Sequence, residues 1–276
     1  MLKYRFLENE HLHQLFSERK QDWENLTGTT TILDVLGKPL TWWAAECAAV
    51  ECLEAGDKIP TIREEYLFAC ESGNKKVGID ALQVKYPIFK KARFAHFDSR
   101  NKKAEEGTDL HAELEKYVKW NMAFKSGVGL DKKELTQKWD DKVISFARWA
   151  EENVKRFIGS EVYCYEELLF IGGIIDCVAE LKDGSYTIID FKSAKEAYFS
   201  MFVQCALYNL QLSRNGALDA NGKSLFKLDK PISQYVVVPF GAKELKPVVN
   251  NNIINLQEAA LACIKIYRQK SFFENQ

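Results

Sequence analysis

Three charged residues interrupt two segments of strongly β-forming sequence in the middle of the chain. Asp176 interrupts the apolar run that follows Gly172, and Asp190 and Lys192 interrupt the run that follows Gly184. Successive side chains of a strand point to opposite faces, so Asp190 and Lys192 share one face. Two carboxylates close together raise each other's pKa unless a cation lies between them. A hard divalent cation, Mg²⁺ or Mn²⁺, meets that requirement.

These groups have two interpretations. A lysine beside a bound divalent cation can orient a water molecule or stabilise charge on a phosphate. Metal-assisted phosphodiester hydrolysis uses these groups. Alternatively, Asp176 ends a strand, and Asp190 and Lys192 form a surface ion pair on an edge strand. The three residues by themselves do not decide between a catalytic site and a structural ion pair.

The turn between the two strands determines whether the carboxylates can share a metal ion. A two-residue hairpin loop of Asp183 and Gly184 would place Asp176 opposite Phe191. The two carboxylates would then point to opposite faces, because a shift of one residue reverses every side chain. A shared metal site therefore needs a different loop or a bulge in one strand.

A three-residue loop of residues 182–184 provides the required shift. It pairs Leu181 with Ser185 and brings both carboxylates to one face of the hairpin. Gly184 occupies the last loop position, where φ is positive, in a type I turn with a G1 bulge. We predict this loop, with a bulge inside either strand as the alternative.

The surrounding periodicity predicts an α/β protein with a mixed central β-sheet flanked by helices. The predicted order from residue 107 onward is α, α, β, β, β, α, β, α, with boundaries near 107–124, 134–158, 161–170, 173–181, 185–192, 197–212, 232–240 and 254–269. Residues 1–105 are predicted to form a mainly helical region, with helices at 40–56 and 60–70, packed on a core of residues 106–276. The first core helix is expected to begin near Gly107 or Thr108.

Composition limits the class of protein. The chain has 276 residues, of which 46% are hydrophobic, and a formal net charge of -1. A neutral protein can still carry a local basic groove, so the charge does not exclude nucleic acid as a partner. The N-terminus lacks a signal-peptide core, and no apolar run approaches the roughly 20 residues that span a bilayer. We expect a soluble, cytoplasmic protein with no membrane partner.

The segment GGIID…IIDFK resembles the signature of the PD-(D/E)XK nuclease superfamily. Asp176 matches its first acidic position, Asp190 its second and Lys192 its lysine. Two flanking motifs resemble those of the RecB-type branch. GTDLHAELE (107–115) resembles its Gly-x-x-x-His helix, and QCALY (204–208) resembles its Gln-x-x-x-Tyr helix.

The resemblance implies a role for each matched residue. Asp176 and Asp190 would ligate the metal, together with the backbone carbonyl oxygen of Phe191 and the imidazole of His111. Lys192 would position or activate the attacking water. These assignments come from the family and not from the spacing alone.

Three further residues have both a functional and a structural interpretation. Gln204 and Tyr208 lie one helical turn apart, and would brace the catalytic lysine or contact the DNA backbone, or simply pack. Glu115, four residues after the histidine, would join a second metal or DNA site, or form a helix salt bridge with Lys119. Other candidates are Glu166 or Glu167 as an additional acid, and the basic segment 89–103 as a phosphate contact or a solvated face.

The chain also departs from some relatives. Ser193 stands where many of them have Thr. Some RecB-type nucleases hold an iron–sulfur cluster through one early cysteine and a late cluster of three, but here the last 70 residues contain only Cys263, so no iron–sulfur cluster is expected. The phosphate-binding motif Gly-x-x-x-x-Gly-Lys is absent, and so is any CxxC pair of a zinc ribbon.

The resemblance implies a restriction-endonuclease-like core and a Mg²⁺- or Mn²⁺-dependent deoxyribonuclease. Residues 29–48 resemble the lead-in of phage-encoded exonucleases of this class, which favours an exonuclease acting in DNA recombination, repair or phage DNA processing. DNA is the expected partner, with a single-strand-binding or recombination protein as a second candidate. The alternatives are a structure- or sequence-specific endonuclease and a nucleic-acid-binding protein that has lost catalysis.

Overall fold

The structure is a computed structural model. It describes residues 3–37, 44–45, 47–48, 50–52, 87–124, 128 and 139–274. The chain divides into two compact units, one of residues 1–37 with 107–276 and one of residues 38–106. The predicted helix at 60–70 and most of that at 40–56 lie outside the described residues.

The described elements include both strands and helices. The strands are β1 Tyr4–Leu7, β2 Leu12–Ser17, β3 Asp22–Asn25, β4 Thr27–Gly28, β5 Val154–Glu166, β6 Ile171–Leu181, β7 Tyr186–Lys192, β8 Ala217–Leu218, β9 Ser224–Phe226, β10 Ile232–Pro239 and β11 Val248–Asn250. The helices are α1 Thr29–Ile32, followed by a 3₁₀ turn at Leu33–Leu36, then α2 Pro87–Phe124, α3 Asp141–Asn153, α4 Phe199–Asn215 and α5 Ile253–Glu274. The predicted order of the core elements is confirmed, with β8, β9 and β11 as short additions.

Eight strands form one mixed sheet. Seven follow the order β11-β10-β7-β6-β5-β8-β9, and β4 pairs with β6 outside this path. The pairs β5–β6 and β6–β7 are antiparallel, whereas β7–β10 is parallel. The predicted mixed sheet is therefore confirmed, and β7, which carries Asp190 and Lys192, lies inside it between β6 and β10.

Helices cover both faces of the sheet. On one face, α4 and α5 pack against the sheet through Val203, Leu207 and Ala260, all completely buried. On the other face, α2 and α3 pack through Leu114, Val118 and Phe146. Burial on both faces explains why the central strands contain nearly continuous apolar runs instead of an alternating pattern.

Three predicted boundaries are wrong. The strand predicted at 161–170 ends at Glu166, and residues 167–170 form a turn. Of the helix predicted at 134–158, the described residues 139–158 form only α3, which is capped by Asp140 through a 2.8 Å hydrogen bond from the Lys142 amide; residues 134–138 lie outside the described residues. Val154 and Phe157 fit helical spacing, but they begin β5 and pair with β6 across two bulges. The helix expected to begin near residue 107 instead continues from Pro87.

The prediction that the N-terminal region is mainly helical is also wrong for residues 4–28. β1, β2 and β3 form an antiparallel three-stranded sheet, and β4 joins the main sheet. These strands have two to six residues each, which is too short for periodicity to identify them reliably. In the described parts of the chain, no helix has the length and apolarity needed to span a membrane.

Candidate active site

The predicted three-residue loop joins β6 and β7. The Leu181 amide donates to the Ser185 carbonyl at 2.8 Å, and the Gly184 amide donates back to the Leu181 carbonyl at 2.9 Å. Gly184 has φ of 83°, the left-handed conformation that glycine adopts without steric cost. The Asp183 carboxylate accepts from the Ser185 amide at 2.9 Å. The loop prediction is confirmed, and the two-residue hairpin is excluded.

The ladder between β6 and β7 ends immediately before the two carboxylates. Its last pair is Cys177 with Ile189. The next backbone donor, the amide of Phe191, is bound at 2.7 Å by the side-chain Oδ2 of Asp176. On this edge of β6, pairing resumes only at Ile171–Gly172, with β4. The two strands therefore separate at Asp176, which leaves a notch in the interior of the sheet.

Asp190 and Lys192 form an ion pair on the β7 side of this notch. The ammonium lies 2.7 Å from Oδ1, which accepts its hydrogen bond, and 2.7 Å from Oδ2. The Asp190 side chain is 1% exposed and that of Lys192 is 21% exposed. Since β7 is a central strand, the alternative of a surface ion pair on an edge strand is excluded.

The two carboxylates influence one another electrostatically. Burial raises the pKa of Asp190 to about 6; Lys192 opposes this increase, and Asp176 adds to it. Burial also raises the pKa of Asp176, against the opposing effects of Lys192 and the Phe191 amide. Burial lowers the pKa of Lys192, but both carboxylates outweigh it, so the net direction is upward. The single Lys192 ammonium thus interacts with two carboxylates, and it cannot neutralise both of them.

Helix α2 brings His111 to the same place. Its ring meets the Phe191 ring edge to face, with 6.1 Å between centroids. Burial lowers the pKa of His111, as does the Lys192 ammonium, while Asp190 and a hydrogen bond to the Phe191 main chain act in the opposite direction. The net effect favours the neutral imidazole, which is the form that ligates metals.

The donor set fits a divalent cation. Oδ2 of Asp190 is buried and accepts no hydrogen bond within the described residues; the Lys192 ammonium is its ionic partner at 2.7 Å, so this oxygen already lies against a cation. Carboxylate oxygens, a backbone carbonyl and an imidazole suit Mg²⁺ or Mn²⁺. Among the described residues, no three His, Cys, Asp or Glu side chains already surround one point. The Lys192 ammonium lies beside Asp190, where a cation bound by this carboxylate would also lie.

Gln204 and Tyr208 lie on α4, which packs on the sheet beside the notch. Gln204 Nε2 donates to the Tyr208 hydroxyl at 2.7 Å, and both side chains are buried. Burial raises the pKa of Tyr208, and the nearby carboxylates of Asp190 and Asp176 raise it further. A Cβ at Gly173 would lie 2.7 Å from the Tyr208 ring and 2.5 Å from Thr29 Oγ1. Position 173 therefore requires glycine, because the Tyr208 ring and the Thr29 hydroxyl occupy the space that a Cβ would need.

A third carboxylate, which sequence reasoning missed, lies opposite Asp176. The β5–β6 ladder pairs Ser160 with Cys177 and Val162 with Ile175, so Glu161 faces Asp176. Burial raises the pKa of Glu161 to about 8, with smaller contributions from Asp176 and Glu115. The turn at 167–170 sets the β5–β6 register and therefore places Glu161 opposite Asp176. The sequence did not show where this turn begins, so the position of Glu161 could not be predicted.

The remaining predicted acids have other partners. Glu115 forms an ion pair with Lys119, in agreement with its structural interpretation. Glu115 also contributes to the raised pKa of Glu161. Glu166 and Glu167 lie at the far end of β5, where Arg214 approaches them at 3.7 and 3.1 Å. They therefore join β5 to the end of α4 and do not reach the notch. Most side chains of the basic segment 89–103 lie outside the description.

Comparison with known families agrees with this geometry. The family model of the PD-(D/E)XK nuclease superfamily matches residues 91–266, well over half of the chain. The chain therefore belongs to the PD-(D/E)XK nuclease superfamily, and its sheet and helices are consistent with the restriction-endonuclease-like fold. Membership implies a metal-dependent nuclease acting on DNA, and such nucleases generally use divalent metals such as Mg²⁺. A search of curated proteins found no match.

Proposed function

We propose that this protein is a Mg²⁺- or Mn²⁺-dependent deoxyribonuclease whose site lies where β6 and β7 separate. Asp176 and Asp190 hold the metal with the Phe191 carbonyl oxygen, and His111 completes the set through its imidazole. The observation that carries the proposal is the buried Asp190–Lys192 pair beside Asp176 in a central strand, since such charges are costly there without a function.

The residues of the proposed site have distinct tasks in hydrolysis. A bound divalent cation supplies Lewis acidity toward the phosphate and lowers the pKa of water. Lys192 holds the attacking water or the phosphate oxygen once its ammonium leaves Asp190. Gln204 and Tyr208, hydrogen bonded to each other, keep α4 against the carboxylates. Glu115 and Glu161 place two further carboxyl groups near Asp176, where a second cation would displace the proton that Glu161 holds.

We assign the protein to the RecB-type or phage-type exonuclease branch. The support is that both flanking motifs contribute to the notch, His111 from 107–115 and Tyr208 from 204–208. Thr29, in the phage-type lead-in, also contacts the β6 backbone. The proposal places the enzyme in the cytoplasm, in DNA recombination, repair or phage DNA processing. A single-strand-binding or recombination protein is its proposed partner.

The test is degradation of end-labelled linear DNA and covalently closed circular DNA, single- and double-stranded, with Mg²⁺, with Mn²⁺ and with EDTA. The proposal expects mononucleotide or short products from linear DNA, intact circles and no reaction in EDTA. Cleavage of circles would make the protein an endonuclease. Binding without cleavage under every condition would make it an inactive relative.

Variants locate the activity in the notch. We expect Lys192→Ala to abolish cleavage but to retain most DNA binding, because one ammonium is a small part of a contact with many phosphates. Asp190→Asn should likewise lose cleavage. Lys195→Ala is the matched control, since Lys195 is an exposed lysine three residues further along. Normal turnover by folded Lys192→Ala protein would refute the site.

A further inference from the structure

The N-terminal three-stranded sheet has one buried face. Tyr4 stacks on Tyr165 of β5 with 5.1 Å between ring centroids, and Phe6 packs on Tyr163 at 5.0 Å. Leu15 belongs to the same apolar cluster. The sheet is therefore fixed to β5, and its second face is turned away from the core.

The second face carries a row of hydrogen-bonded polar side chains. The register aligns Arg5, Gln14 and Asn25 across the three strands. Arg5 Nε donates to the Gln14 side chain at 2.7 Å, and Gln14 Nε2 donates to Asn25 at 2.6 Å. This row holds the guanidinium in place over the sheet.

A neighbouring row combines aromatic rings with positive charge. The Lys3 ammonium lies 5.1 Å from the centre of the Phe16 ring, and the Arg5 guanidinium lies 4.0 Å from that of Trp23. The two rings meet edge to face at 5.6 Å. All four side chains are at least partly exposed. A planar guanidinium stacked on an indole is a surface on which a nucleobase can stack.

No strand residue of β1, β2 or β3 places a carboxylate on this face. Alternation directs Asp22 and Glu24 to the opposite side, where Glu24 pairs with Lys20. The other acidic residues of the segment, Glu8, Glu10 and Glu18, lie in its turns. The face therefore combines two cations, two aromatic rings and the exposed amide of Asn25, and its charge is complementary to a phosphate backbone.

We propose that this N-terminal platform, formed by Lys3, Arg5, Phe16, Trp23 and Asn25 with the buried Gln14 linking Arg5 and Asn25, binds single-stranded DNA. Its cations contact phosphates, and its rings and guanidinium stack on bases, as in proteins that bind single strands without sequence preference. A duplex does not expose its base faces in this way. The proposal rests on the proposed nuclease function and gives the enzyme a second contact with its substrate.

The platform is connected directly to the strand that carries the candidate site. β4 follows β3 and pairs with Gly172 of β6, and Asp176 lies four residues further along that strand. Four residues of a strand span about 13 Å. The platform lies outside residues 91–266, which match the family model, so it is an addition to the matched core.

The experiment measures binding of fluorescein-labelled oligothymidylate to the full-length chain by anisotropy, in EDTA and over a range of salt concentrations. We expect Trp23→Ala to weaken binding about tenfold and Trp23→Phe to retain most of it, because a stacked aromatic ring supports each base. Lys3→Gln with Arg5→Gln should weaken binding and lower the salt slope by about 1.4, since each phosphate contact on a single strand contributes about 0.7.

The matched control is Arg19→Gln with Lys20→Gln. It makes the same change of charge in the exposed turn of the same sheet, and we expect a smaller loss. If the platform variants bind like wild type, or no worse than this control, the platform proposal fails while the nuclease proposal stands. If the charge variants alter self-association and not DNA binding, the face is a protein interface and the proposal is wrong. Wild-type protein that neither binds nor cleaves DNA would refute both.

Discussion

At the residue scale, the candidate site is a problem of charge balance. Asp190 is almost fully buried in a central strand, and one ammonium is shared between it and Asp176. Glu161, opposite Asp176, adds a third carboxyl group with a raised pKa. The metal-free site therefore favours protonation of its acids, and a divalent cation would compete with those protons.

Glu161→Gln should change how stability depends on pH in the absence of metal. Burial raises the pKa of Glu161 to about 8, so the folded protein holds this proton more tightly than the unfolded chain. The stability that this tighter proton binding contributes to the folded state is fully present below the ordinary glutamate pKa, and it is lost as pH rises toward 8. Each pH unit in this window is worth at most about 1.4 kcal/mol.

Urea unfolding in EDTA between pH 5 and pH 9 measures this dependence. The free energy of unfolding of the wild-type protein should fall across this pH range, and that of Glu161→Gln should fall less. Glu151→Gln, an exposed glutamate of α3, serves as the control and should follow wild type. Parallel curves for wild type and Glu161→Gln would show that Glu161 does not hold its proton in the folded protein.

At the element scale, the hairpin of β6 and β7 positions the site. Its loop sets the register at Leu181–Ser185, and the ladder then stops at Cys177–Ile189, so that the Phe191 amide binds a side chain instead of a strand. Two glycines perform different tasks in this hairpin. Gly184 forms the turn, whereas Gly173 makes room for α4.

Alanine substitutions should separate these two tasks. A Cβ at Gly184 meets nothing within 4 Å, so Gly184→Ala should cost only the left-handed conformation, about 1–2 kcal/mol, and leave cleavage unchanged. A Cβ at Gly173 overlaps Thr29 and Tyr208. Gly173→Ala should lose about 1–3 kcal/mol and also lower the cleavage rate, because Tyr208 must move.

Urea denaturation and DNA cleavage on the same protein preparations provide both readouts. A normal cleavage rate in Gly173→Ala protein would argue against a supporting role for Tyr208. A reduced rate in Gly184→Ala protein of normal fold would show that the loop does more than set the register.

At the scale of the whole molecule, the start of the chain belongs to the same compact unit as the nuclease core. β4 extends the main sheet beside β6. The buried Thr29 hydroxyl donates to the Gly172 carbonyl at 3.1 Å and accepts from Gln211 at 2.8 Å. Global unfolding of this unit therefore disrupts the site, so a ligand that binds the site should stabilise the whole unit.

Mn²⁺ should raise the free energy of unfolding of the wild-type protein. At 100 times its dissociation constant the gain is about 2.7 kcal/mol, provided that the unfolded chain does not bind the metal. Asp190→Asn should lose most of this gain. Asp183→Asn, the same substitution in the exposed loop of the hairpin, should keep it. An equal metal effect in both variants would place the metal elsewhere.

The sequence alone determined the local features of the protein. The order of the core elements, the loop at 182–184 and the common face of Asp190 and Lys192 all follow from periodicity, turn chemistry and alternation. These properties depend on neighbours only a few residues apart, and the structure confirms the elements and the loop. The matched motifs pointed to the same family that the family model shows.

Only the tertiary structure decided which distant groups meet. The central position of β7, the edge contact of His111 with Phe191 and the place of Glu161 opposite Asp176 depend on pairings between remote segments. The N-terminal sheet escaped prediction because its strands are too short to show a period. Its two faces become distinct only when one of them packs on β5, since burial is a property of the folded chain and not of any local pattern.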